Sequence, residues 1–157
     1  MASVFEIVVI VALALAVGCD GGVTQAQSIP FRDHGSTQQS GYDGAARVAV
    51  ASDPSSLGLG GLAAPDDGRL YIAVFAGSQR TGGYGVGVVR VERAGDTLTV
   101  RATFSAPPRD AFTIQVLTSP AQLVSIDRQA AASLRDVVLV DQSAVERARS
   151  PVPQSKP

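Results

Sequence analysis

Apolar positions along this chain fall into three regimes. Residues 7 to 18, IVVIVALALAVG, run without a polar interruption. Residues 20 to 27 are small and polar, residues 150 to 157 show no periodicity, and between them short period-two stretches dominate. In one of these, Leu98, Val100, Ala102 and Phe104 alternate with Thr97, Thr99, Arg101 and Thr103, which predicts a strand with one wet face. Upstream, Tyr84, Val86 and Val88 alternate with glycines before the phase slips to Val89 and Val91. Such a slip predicts a bulge near Val88-Val89. Ala94-Gly95-Asp96 then reads as a tight turn joining the two strands. Residues 70 to 76, LYIAVFA, are apolar at every position and predict a central strand covered on both faces. Further strands are expected over 47–51, 112–117, 123–126 and 137–140.

Helical signals are few. Ser52 or Asp53 suits an N-cap and Pro54 the first helical position. Gly58, Gly60 and Gly61 each weaken a helix by about 1 kcal/mol relative to Ala, so one or two turns are expected around 54–63. The tract 128–135 predicts a second short helix, and Asp66-Asp67-Gly68 a polar turn before the strand at 70. The fold class expected is mainly β: a small antiparallel sheet of about six or seven strands, sandwich or barrel-like, with one or two short helices. SPVPQSKP, with three prolines, reads as disordered.

The run at 7–18 extends roughly 18 Å as a helix against a bilayer core of about 30 Å, so it fits the apolar region of a signal peptide better than a span. It ends in Leu15-Ala16-Val17-Gly18-Cys19, which resembles the bacterial lipobox. That resemblance implies an acylated Cys19 after cleavage before it. The leading MASVFE departs from the usual signal in having Glu6 and no basic residue. The expected organisation is a lipoprotein-type signal peptide over 1–18, a lipidated flexible tether over 19–27, a β-rich domain over 28–142 and a disordered tail over 143–157. The expected place is the bacterial cell envelope, outside the cytoplasm, held to the membrane by lipid on Cys19.

Composition narrows the chemistry. A net charge of −1 gives no electrostatic footprint for nucleic acid. Cys19 is the only cysteine, so no disulfide forms within the chain. His34 is the only histidine; its neighbours Asp33 and Ser36 lie along an extended segment, where adjacency does not mean pairing. No catalytic residue, cofactor or metal site is expected, since one histidine and scattered carboxylates fall short of a zinc ligand set. Gly82, Gly83, Gly85 and Gly87 lack the Lys-Ser/Thr of a phosphate loop. Five Phe, three Tyr and no Trp leave little for the alternative reading, a periplasmic module binding a small ligand or glycan.

One segment resembles a known family. Phe75-Ala76-Gly77, then Thr81-Gly82-Gly83-Tyr84, Pro107 and Ser119-Pro120, set among alternating strands over 71–126, resemble the C-terminal domain family of PrcB, a subunit of a surface protease complex. The pattern departs in carrying Ser119 before the last proline and in continuing well beyond 127. The resemblance implies a noncatalytic domain that acts by protein–protein contact, with a protease or another envelope protein as partner. Thr81, Gly82, Gly83 and Tyr84 are the candidate contact loop. Its paired glycines predict a backbone turn with at least one positive φ.

Overall fold

A computed structural model describes residues 25–62 and 64–153. Cys19, the signal-like run before it and most of the tether lie outside the described residues. Nine strands appear in chain order among the described residues: β1 (Gln27–Ser28), β2 (Phe31–Thr37), β3 (Arg47–Ala51), β4 (Leu70–Phe75), β5 (Gly85–Ala94), β6 (Thr97–Ser105), β7 (Ala121–Ile126), β8 (Asp136–Val140) and β9 (Glu146–Pro151). They form a five-stranded sheet, β1-β5-β6-β8-β9, and a four-stranded sheet, β2-β7-β4-β3. The two pack face to face as a sandwich, as the mainly β reading expected. Pairing is antiparallel except between β6 and β8, which run parallel. No helix among the described residues is long and apolar enough to cross a membrane.

The architecture grows from β4. All six of its residues are buried. Leu70, Ile72 and Val74 face the five-stranded sheet, where they meet Val91, Leu98, Val100, Val137 and Leu139. Tyr71, Ala73 and Phe75 face the other way and are roofed by Leu57 and Leu59. Burying each large aliphatic side chain stabilises the fold by roughly 1.5–3 kcal/mol. The roof is a single 3-10 turn, Pro54–Leu57, capped by Asp53, whose carboxylate accepts from the Ser55 N–H. Gly58 in the left-handed region ends it.

The bulge falls where the phase slip predicts it. Pairing between β5 and β6 shifts between Val88 and Arg90, leaving Val89 as the extra, exposed residue. The N–H of Val88 donates across the sandwich to Oε1 of Gln122 on β7, at 2.5 Å. The Nε2 of Gln122 donates in turn to Asp33 on β2, at 2.9 Å. One buried glutamine thereby links the two sheets.

Four expectations require correction. Residues 112–117 form no strand; they are an irregular, exposed segment. Residues 128–133 are successive turns rather than a helix, closed by Ser133 at φ 63°. The sheets hold more strands than the six or seven expected, because the polar edge strand β2 and the short β1 carry little apolar signal. The tail is not disordered from 143: β9 pairs with β8, and the Val152 N–H donates to the Arg135 carbonyl at 2.7 Å. Its residues alternate exposed with half-buried, and its order comes from main-chain pairing that composition does not display.

Both described ends leave from one end of the sandwich. Gln27 pairs with Arg93 beside the Ala94–Thr97 turn, and Pro151 pairs with Asp136, itself opposite Thr97. At the far end, about 30 Å away along β5, lie Gly85 and Ser105, with Thr37 opposite Ala121.

Gln122→Leu is expected to cost about 1–3 kcal/mol in chemical denaturation, because it strands a buried N–H and an aspartate. Val89→Thr, on the exposed bulge, is expected to stay within about 0.5 kcal/mol of wild type.

Candidate functional site

The far end is built by the loops 76–84 and 106–120, laced together by main-chain bonds. Gln79 and Thr118 exchange N–H···O bonds of 2.8 and 2.9 Å, and Ala76 donates to the Pro120 carbonyl at 2.8 Å. The candidate loop sits within this lattice. The Thr81 carbonyl accepts from the Thr118 hydroxyl at 2.9 Å, and the Gly82 N–H donates to the Ile114 carbonyl at 3.1 Å. Gly83 takes φ +92°, the positive value that the paired glycines predict, and a Cβ there would stand 3.0 Å from Pro107 Cβ. A Cβ on Gly82 would stand 2.8 Å from Ile114 Cγ1. The two glycines therefore let the segment 107–114 lie directly on the loop backbone. Tyr84 is half-buried just before β5 and lines an adjoining groove.

That close seat holds apolar side chains outward. Ile114 is 72% exposed, Leu117 68%, and Phe112 wholly exposed. The sandwich interior is already filled by the strands, and Pro107-Pro108 cannot donate to extend β6. The N–H groups of Phe112, Thr113, Ile114, Gln115 and Leu117 find no acceptor among the described residues. Two open grooves, of about 460 and 420 Å³, flank Ile114; Gly82 and Gly83 line both. Arg80 and Arg109, in the same loops, are exposed and form no ion pair among the described residues. This group of exposed large apolar side chains is the candidate interaction surface.

A second cluster lies near the opposite end, on the roofed face of the smaller sheet. The His34 Nε2 lies 2.8 Å from Ser125 Oγ, although 91 positions separate them. Arg69 Nε donates to the same oxygen at 2.9 Å. Tyr71 donates to Asp67 Oδ1 at 2.7 Å, and Arg32 pairs with Asp67 at 3.1 Å. This His–Ser contact was invisible in sequence, where only Asp33 and Ser36 stood nearby. Ser125 has no exposed surface, so the pair offers no reachable nucleophile. Burial, with Arg32 and Arg69 nearby, holds the His34 pKa below its ordinary value.

An open groove of about 470 Å³ runs beside β3. Its aromatic groups are already engaged: the Tyr42 and Phe75 rings pack at 5.1 Å, and Arg47 stacks over Tyr42 at 5.4 Å.

Protonating His34 would place a cation beside two arginines. Its lowered folded-state pKa means that the unfolded chain binds the proton more readily. Stability is therefore present above the unfolded value of about 6.5 and lost as pH falls through the folded one. Melts from pH 7.5 to 5 are expected to show that decline in wild type and a flatter profile in His34→Gln. Gly83→Ala is expected to cost about 1–2 kcal/mol from its left-handed φ alone, read by urea denaturation.

No curated protein and no solved structure matches the chain. A family model does match, that described as PrcB C-terminal, over residues 70–127. The matched span runs from β4 through β5, β6 and the exposed segment to the end of β7. It includes the whole 81–84 loop and its apolar seat. The span that matches the PrcB C-terminal family model thus holds both the doubly buried central strands and the exposed surface at their far end.

Proposed function

We propose that this chain is a noncatalytic envelope lipoprotein that works by protein–protein contact, with a protease complex as the partner that the family match favours. The observation that carries the reading is the exposed apolar surface of Phe112, Ile114 and Leu117, seated on the Gly82-Gly83 backbone within the matched segment. Its position supports the anchored arrangement. Both described ends of the domain emerge at the opposite end of the sandwich, so a lipid on Cys19 would leave this surface facing away from the membrane. Each CH₂ buried from an acyl chain contributes about 0.8 kcal/mol, and two chains give stable attachment where one is marginal. The burial of Ser125 supports a noncatalytic role.

Two measurements test the reading. Wild-type protein is expected in the membrane fraction with the mass of a diacylglyceryl-modified Cys19, and Cys19→Ser is expected to be soluble or to persist as precursor. An unmodified mass with unchanged fractionation in the mutant would contradict the anchor. Purification from solubilised envelopes is expected to bring down a stoichiometric protein partner that Phe112→Asp loses. A partner held equally by Phe112→Asp, or saturable glycan binding in its place, would contradict the contact surface.

A further inference from the structure

We infer that the far-end surface receives an extended polypeptide segment of the partner, apolar at alternate positions and flanked by carboxylates. This rests on the contact reading above and adds the chemistry of what is bound. Three observations carry it.

The first is the main chain. Five N–H groups between Phe112 and Leu117 have no acceptor among the described residues, while their side chains alternate between large apolar groups and Thr113 and Gln115. An extended peptide brings carbonyls at strand spacing, which can meet alternate donors of such a set. A hydrocarbon surface would leave those donors unpaired at a cost of several kcal/mol each, which argues against a lipid occupant.

The second is shape. Ile114 stands as a ridge between grooves of about 460 and 420 Å³. Side chains on one face of an extended peptide recur every ~7 Å, so two of them can straddle such a ridge.

The third is charge. Arg80 and Arg109 are the cations of these two loops, and Asp110 is their one acid. Neither arginine has an ion-pair partner among the described residues. Guanidinium groups pair with carboxylates in a two-pronged geometry, so acidic flanks complement them. A second copy of this chain would instead bring arginines to arginines.

The test uses the full chain in nanodiscs of zwitterionic lipid. Two capped, fluorescent nonapeptides are titrated, each with an alternating valine–threonine core, one flanked by aspartates and one by lysines. The aspartate-flanked peptide is expected to bind at least tenfold tighter. Ile114→Asp, and separately the Arg80→Ala/Arg109→Ala pair, are each expected to remove at least tenfold of that affinity with an unchanged melting temperature. Phe112→Ser provides a second, gentler variant should Ile114→Asp unfold. Equal binding of both peptides, or binding indifferent to Ile114 and to both arginines, would overturn the inference. So would dimerisation through this face, or partition of the far end into phosphatidylglycerol vesicles, abolished by Ile114→Asp. A protein partner still captured by the Ile114→Asp variant would likewise overturn this site while leaving the contact reading intact; capture of no partner even by wild type would remove the contact reading itself.

Discussion

A strand that is apolar on both faces has to be covered twice, and β4 sets that requirement for the whole molecule. Its Leu70, Ile72 and Val74 demand a second sheet, and its Tyr71, Ala73 and Phe75 demand a roof. The chain meets the first demand with the hairpin β5–β6 and with β8 and β9, and the second with Leu57 on the short capped turn and Leu59 just past it. Strand β7, also buried throughout, shares both covers. Gln122 is the polar group tolerated between the sheets, because both ends of its amide are satisfied, by Val88 and by Asp33.

Filling the interior so completely has a consequence at the far end. The loop leaving β6 has no core left to enter, and its prolines stop it from extending the sheet. It lies instead on the Gly82-Gly83 backbone, and its apolar groups point to water. The two glycines make this possible: they accept the close seat that keeps Phe112 and Ile114 exposed. The polar cluster around His34 serves the opposite end differently, pinning the 65–67 turn over the sheet through Tyr71 and Asp67.

Much of the sandwich was legible in the chain. Period-two alternation located β5 and β6, the slip at Val88-Val89 located the bulge, and the unbroken LYIAVFA identified the doubly covered strand. Tertiary partners decided the rest. Polar edge strands such as β2 and β9 hold their place by main-chain pairing, which side-chain pattern does not encode. Residues 112–117 alternate as a strand does, but they pair with no strand and lie instead on the Gly82-Gly83 backbone. The turn at Thr81-Gly82-Gly83-Tyr84 was recognisable from its paired glycines, whereas the apolar segment seated on it was read as a strand. Reading those alternating residues together with Pro107-Pro108 would have pointed to an exposed position. The contact between His34 and Ser125 spans the whole domain and left no local signal.

Hydrogen–deuterium exchange on the full chain, alone and with the proposed protein partner, tests the central claim most directly. Free protein should exchange the amides of 112–115 and 117 within the shortest labelling time, since they donate to nothing among the described residues, while β4 and β7 stay protected. On partner binding, slowing should concentrate in 112–117 and 81–84. Protection that falls instead on β3, β9 or the His34 face, with 112–117 unchanged, would contradict the account.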